Sequence, residues 1–385
     1  MEELVAKIRV IQAGLDLIKK GLIARTWGNV SCRIDAQTFA VTPSGRAYES
    51  LTPSDVVICK IEDGSYSGSI KPSSERGVHA LIYREYPKAN FVIHTHQTLA
   101  SAVSVMGRSE IPRGFSSDGE PVPIAGYGLP STKKLCREVG LALAKTKGKA
   151  IIMAHHGAVC FGDDCQEAFE VASALEELSG SYIAAVFEEM SGEKLDTEQD
   201  IYDDFCKRQG AVFSDIAQTL GSSRREGNGF ILKLNDTETY ILPSQVLTAQ
   251  EARIHAEIYK QRPDVSHILS SDSGPLVAAA SSKTALIAML DDFAQIAGRR
   301  VMCAESDSAE NVVKALGKHA GVLIQGHGAL CCAATESDAH AVRLVMEKNA
   351  CAQIAASLTG KPRPLALMDC LVMRAIYKQS YSKKQ

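Results

Sequence analysis

Two histidines two residues apart, His94 and His96, sit in the apolar run Phe91-Val92-Ile93-His94-Thr95-His96. Side chains alternate between the faces of a strand, so these two imidazoles share a face and can reach one ion. A pair of histidines seldom completes a divalent site, and a third donor is needed. His156 is the natural candidate: it ends a short apolar strand expected over 150–154 and precedes Gly157, where backbone can approach closely. Three neutral imidazoles leave an open position on the ion, the arrangement of a catalytic site. His155 points the other way if the segment stays extended, which gives it a supporting part. Glu75, at an expected helix start, could ligate the ion, act as general acid or base, or sit at the positive end of the helix dipole.

Three turns carry a second kind of chemistry. Gly28-Asn29, Ser44-Gly45 and Ser73-Ser74 offer backbone N–H groups and hydroxyls, the last pair at a helix N-terminus. Such groups hold a phosphate monoester without a lysine. Beside a cation they suggest a small phosphorylated substrate, anchored at one end and polarised at the other.

The elements that position these residues follow from periodicity. Leu4, Ile8, Ile11, Leu15, Ile18 and Leu22 recur at four and three, the stripe of a helix packed on one side. Strands are expected from the Gly28 turn to Val41 and over 55–61, with a helix over 78–86 capped by Ser73 or Ser74. The His94 strand leads to a small-residue helix over 99–105, a Gly- and Pro-rich loop over 107–130, a helix over 131–145 and a long helix over 166–187. Strands alternating with helices imply a layered α/β or α+β domain. The polar segment 221–229 reads as a linker or the irregular start of a second unit, which gives domains of 1–215 and 216–385.

The chain has 385 residues, a formal net charge of -3, and lysines and arginines spread along its length. That balance argues against nucleic-acid or anionic-membrane partners. No segment approaches the roughly 20 apolar residues of a membrane span, and the charged N-terminus lacks a signal-peptide core. A cytoplasmic protein is expected. Eleven cysteines without a CxxC pair read as reduced core residues.

The second unit copies the first. Glu75-Arg76-Gly77-Val78-His79 aligns with Glu251-Ala252-Arg253-Ile254-His255, and His156-Gly157-Ala158 with His327-Gly328-Ala329. The same register sets Ser270 opposite His94 and Asp272 opposite His96, so the chelate is absent from the copy. The Gly28 and Ser44 turns have no expected counterpart, because the stretch before Glu251 looks too short for all the strands. The second unit reads as a scaffold.

The ordered set TWGNVS, TPSG, SSE, HTH and HHG resembles the class II aldolase/adducin family over about residues 5–190, with the second unit a degenerate copy. The resemblance implies a three-layer α/β/α domain duplicated in tandem. It implies zinc, or another divalent ion such as Mn2+ or Co2+, on His94, His96 and His156. Glu75 would be the acid/base, and phosphate would fall on Gly28, Asn29, Ser44, Gly45, Ser73 and Ser74. Asp118 stands in the loop where the family's epimerases carry a catalytic aspartate. A divalent ion stabilises the enediolate left when a C–C bond of a ketose breaks, so the implied activity is a metal-dependent lyase on a small phosphorylated ketose. Alternatives are a sugar-phosphate 4-epimerase, dehydratase or decarboxylase of the family, or a non-enzymatic adducin-like interaction protein. SSE is aldolase-like and TWGNVS closer to the epimerases. The tyrosine that the aldolases recruit near the domain end has no match around Lys207-Arg208-Gln209. Family tetramers imply a homo-oligomer in which two tandem chains form a pseudo-fourfold ring.

Overall fold

The computed structural model describes residues 1–23, 27–115, 119–214, 219–242, 247–360 and 362–380. It divides into two compact units, Met1–Val186 and Phe187–Gln385. The division falls inside one long helix, upstream of the composition change near residue 215.

The first unit runs α1 (Glu3–Lys19), β1 (Asn29–Arg33), β2 (Thr38–Val41), β3 (Val57–Lys60), α2 (Arg76–Glu85), β4 (Phe91–Thr95), α3 (Thr98–Val103), β5 (Glu110–Ile111), β6 (Val122–Ala125), α4 (Lys133–Leu143), β7 (Ala150–Met153), β8 (Gly157–Gly162) and α5 (Cys165–Ser191). Its sheet has the order β3-β2-β1-β4-β8-β7-β6-β5. Neighbours are antiparallel except β6 and β7, which α4 joins as a parallel crossover. Strand β4 lies centrally, buried at every residue, as a continuous apolar run between two covered faces requires. Val92 joins Phe39, Ile151, Phe161, Ile82 of α2 and Val139 of α4 in one core. His94, two residues on, therefore faces the same helices. On the other face, Glu176 of α5 accepts from the Leu99 and Ala100 amides and so ties down the start of α3.

Two expectations fail here for physical reasons. Helix α1 is seated by Ala6, Val10, Ala13, Gly14 and Leu17, whereas Leu4 and Ile8 of the large apolar stripe stay 58% and 51% exposed. The buried face includes Gly14 because the Tyr48 ring, from the short helical turn between β2 and β3, packs there: a Cβ on Gly14 would lie 2.0 Å from it. The expected loop over 107–130 contains β5 and β6, and the prolines flanking Val122 hide a strand that is held by pairing to β7.

The second unit comprises α6 (Glu198–Arg208), β9 (Ser222–Glu226), β10 (Gly229–Leu234), β11 (Thr237–Ile241), α7 (Gln250–Gln261), β12 (His267–Ser271), α8 (Gly274–Ser281), β13 (Leu286–Ile287), α9 (Asp291–Ile296), β14 (Arg300–Val301), α10 (Ala309–Leu316), β15 (Gly321–Ile324), β16 (Gly328–Ala333), α11 (Glu336–Leu358) and α12 (Leu367–Ser380). Its main sheet, β11-β10-β9-β12-β16-β15, repeats the order β3-β2-β1-β4-β8-β7. The segment 221–229 is thus no linker but β9 and the turn into β10. All three strands fit before α7 because the excursion of more than a dozen residues between β2 and β3 shrinks to the tight turn between β10 and β11. The sheet extension is reduced in the copy: β13 and β14 pair with each other, and just past β14 a single parallel bridge, Cys303 with Leu323 of β15, stands where β6 pairs with β7.

Candidate metal centre

Strand β4 places His94 between Asn29 of β1 and Val159 of β8, and His96 follows just past the strand end. His156 comes from the turn joining β7 to β8, in which Met153 pairs with Gly157. That turn differs from the extended segment expected from sequence: His155 takes a left-handed φ of 61°, its amide donates to Ser104 Oγ at 3.1 Å, and its ring meets Tyr127 edge-on. Gly157 is needed for the approach, since a Cβ there would lie 2.2 Å from the Thr95 carbonyl oxygen.

The ligand atoms of His94, His96 and His156 all lie within 4.8 Å of one another. The His94 and His156 rings are parallel, 3° apart in plane, with Nε2 atoms at 3.2 Å. Two nitrogens on a tetrahedral zinc, about 2.05 Å from it, stand roughly 3.3 Å apart, so this pair already has the spacing of two corners. His94 Nδ1 donates to the Ala158 carbonyl at 2.8 Å, which leaves the Nε2 lone pair turned inward. The donor set and its spacing fit a divalent ion.

Glu75 supplies the carboxylate. It is the N-cap residue of α2, at the positive end of the helix dipole, yet its side chain makes no capping bond. Instead Oε1 lies 3.0 Å from His156 Nε2 and Oε2 3.1 Å from His94 Nε2. Burial pushes this carboxyl upward, but the imidazoles of His94, His156 and His96 outweigh it and hold the group well below the usual carboxylate range. The expected cap of α2 by Ser73 or Ser74 is not formed either: Ser73 Oγ accepts from the Glu75 amide at 3.2 Å, two residues on, and no side chain caps the helix by a hydrogen bond.

The three turns meet around Thr42. Its hydroxyl accepts from the Val30 amide beside Gly28-Asn29, its carbonyl accepts from the Ser73 amide, and the Ser44 amide donates to Lys71. Gly28, Asn29, Ser44, Gly45, Ser73 and Ser74 therefore share one neighbourhood next to Glu75. Gly28 and Gly45 have φ of 85° and 68°, a conformation that favours glycine. Ser74 and Glu75 also border a cavity of about 310 Å³ that Arg76, Thr132 and Lys133 help to line. Asp118 lies outside the described residues, as does Thr26 of the TWGNVS run.

A family model for the class II aldolase and adducin N-terminal domain matches residues 8–183 and 229–354, most of the chain and both units. The chain belongs to the class II aldolase/adducin family. The L-fuculose phosphate aldolases of Escherichia coli (strain K12) and Shigella flexneri are each 32% identical to it over 182 residues, 46% of this chain and 82% of theirs. Among solved structures, an L-fuculose 1-phosphate aldolase aligns at 26% identity and TM-score 0.43, over 51% of this chain and 92% of its own. The L-fuculose-1-phosphate aldolase of Thermus thermophilus aligns at 27% identity and TM-score 0.41, over 50% and 99%. This member of the family carries its domain twice, and the second copy has lost the chelate. Ser270 pairs with Leu330 in the register in which His94 pairs with Val159. His327 of that copy faces Asp307, with Nε2 and Oδ2 3.6 Å apart.

Sequence reasoning placed Asn29 only at the phosphate and missed Ser31, His79 and Tyr83 behind Glu75. Asn29 Nδ2 donates to Glu75 Oε2 at 3.3 Å, and His79 Nε2 contacts Asn29 Oδ1. His79 Nδ1 lies 2.6 Å from Ser31 Oγ, which in turn lies 2.8 Å from the Tyr83 hydroxyl. One signal was present: Glu75 and His79 are four apart on one helix, hence on one face, and both recur in the repeat as Glu251 and His255.

Proposed function

We propose that the first unit is a divalent-metal-dependent aldolase-type lyase that cleaves or forms a C–C bond in a small phosphorylated ketose. The observation that carries this reading is the convergence of His94, His96 and His156 beside the Glu75 carboxylate. A zinc or similar ion bound there supplies Lewis-acid stabilisation of charge that develops on the substrate oxygens. Everything else is done by the chain. Glu75, whose oxygens lie against the His94 and His156 rings, is the carboxylate placed to take the proton of the substrate hydroxyl as the C–C bond breaks and return one to carbon. The amides and hydroxyls of Gly28, Asn29, Ser44, Gly45, Ser73 and Ser74 would hold the phosphate, the only part of such a substrate that needs many donors at once. Asp118 is a candidate for a second proton-transfer group.

The relatives named as L-fuculose phosphate aldolases support a sugar phosphate as substrate. The second unit, without the chelate, serves as scaffold, and two chains would associate so that four domains form a pseudo-fourfold ring; sedimentation as a stable monomer at micromolar concentration would oppose that assembly. Free cysteines throughout the described residues fit a cytoplasmic setting. No helix among the described residues is long and apolar enough to cross a membrane.

The test is cleavage of a panel of phosphorylated ketoses by metal-loaded wild type and His94→Ala. Release of a triose phosphate by wild type alone supports the lyase. Equal rates, or no turnover of any ketose phosphate by loaded wild type, would overturn it.

A further inference from the structure

We propose that His79 is a positioning residue for Glu75 that acts through the Asn29 amide, so that a hydrogen-bonded chain buried in the fold sets the direction of the site's carboxylate. The inference rests on the reading of His94, His96, His156 and Glu75 as a metal site.

The polarity of the chain follows from its two ends. A carboxylate can only accept, so Asn29 must turn its NH2 group to Glu75 Oε2 and its carbonyl oxygen to His79. His79 must then carry its proton on Nε2 and accept at Nδ1 from the Ser31 hydroxyl. Ser31, having donated, accepts from the Tyr83 hydroxyl. Every bond points toward Glu75, and none of the four groups can reverse without leaving a neighbour unsatisfied. Asn29, Ser31, His79 and Tyr83 are 7%, 0%, 0% and 1% exposed, so water cannot stand in for a lost partner. Arg33 stacks over the Tyr83 ring at 4.7 Å and donates to the carbonyls of Tyr83 and Ala89, fixing the far end. Burial above all keeps His79 neutral, its value lowered to about 3.

The second unit is an internal control. Ser223 Oγ lies 2.6 Å from His255 Nδ1 and 2.8 Å from the Tyr259 hydroxyl, and Arg225 covers Tyr259 at 4.6 Å. Ser223 pairs with Ile268 of β12 as Ser31 pairs with Val92 of β4. Two residues earlier, where the first unit has Asn29, the second has Gly221. The serine, histidine, tyrosine and arginine therefore belong to the fold and persist without a metal site. The asparagine is missing from the unit that lost His94 and His96. Asn29 is the link by which a fixed structural network reaches Glu75, and its side chain is thereby committed to the carboxylate, leaving its backbone as the part that could meet a phosphate.

The experiment measures Co2+ binding to the full chain by its visible absorption, with chelator competition, together with the pH profile of ketose-phosphate cleavage. Asn29→Ala and His79→Asn should each weaken Co2+ about 10- to 100-fold, the usual effect of losing a hydrogen bond behind a metal-binding group. Each should also shift the cobalt bands and the pH profile. The double variant should bind no worse than Asn29→Ala alone, because His79 acts only through the amide. His255→Asn, which removes the equivalent imidazole from the second unit, should leave the cobalt spectrum and affinity unchanged. Additive losses in the double variant, or wild-type affinity, spectrum and pH profile in Asn29→Ala, would overturn the proposal. His94→Ala separates the two readings. If it binds Co2+ as wild type does, the metal site itself is wrong; if it does not while Asn29→Ala is unaltered, only the positioning role fails. Asn29→Ala, measured by itself, keeps the test usable should His79→Asn not fold.

Discussion

His255 offers a quantitative check on the buried networks, because no metal ligand stands near it. The imidazole is 0% exposed, and burial lowers its pKa from 6.5 to about 4, with a hydrogen bond from the ring to the Leu220 backbone opposing the shift. The native state therefore holds the ring neutral where the unfolded chain would protonate it. For a depressed pKa the stabilisation is complete above the unfolded value near 6.5 and is lost as pH falls toward the folded value near 4. A shift of about 2.5 units corresponds to roughly 3 kcal/mol in all, of which about 2 kcal/mol is already gone at pH 5. Replacing His255 by Asn keeps an acceptor for Ser223 but removes the titration. The variant should be less stable than wild type at both pH values from lost packing, and the difference should narrow by about 2 kcal/mol between pH 7.5 and 5. Trp27, the single tryptophan, lies in the first unit and would report the wrong domain. Denaturant-dependent hydrogen exchange of α7 amides is the suitable assay. A difference between variant and wild type that stays constant with pH would refute the argument.

Three further outcomes are expected. Glu75→Gln, close to isosteric, should weaken metal binding at least as much as Asn29→Ala does, and at saturating metal should lose about 10²- to 10⁴-fold in turnover, the range for removal of a general acid or base; metal content and rate are measured on the same sample. Gly157→Ala should drive β8 from β4, because its Cβ would enter the space of the Thr95 carbonyl and sit 3.4 Å from His94 Cε1. The expected result is a lower melting temperature together with weaker metal binding, and an unchanged affinity would contradict the close approach. Zn2+ at a thousand times its dissociation constant should stabilise the first unit by about 4 kcal/mol through mass action, and His156→Ala should abolish that increment in thermal melts read by Trp27 fluorescence.

Spacing alone determined a good deal about this protein. His94 and His96 are two apart in a buried run, and a strand leaves them no choice but a common face. The repeat was legible because Glu75 and His79 recur as Glu251 and His255 at the same separation, and the loss of the chelate from the copy could be read from Ser270 and Asp272. Local pattern failed wherever a long-range partner overrode it. A face of Ala6, Val10, Ala13, Gly14 and Leu17 rather than the Leu4 and Ile8 stripe seats α1, since the deciding quantity is how close Tyr48 comes to Gly14. Prolines disguised β6, which exists because β7 lies alongside it, and the polar stretch 221–229 is a strand because β10 and β12 flank it. Tertiary structure alone decided that Glu75 turns away from its helix end toward the imidazoles, and that Asn29, Ser31, His79 and Tyr83 form one directed chain. Those contacts join residues some fifty positions apart, and a hydrogen bond's direction depends on what stands at both of its ends, which no local stretch of sequence contains.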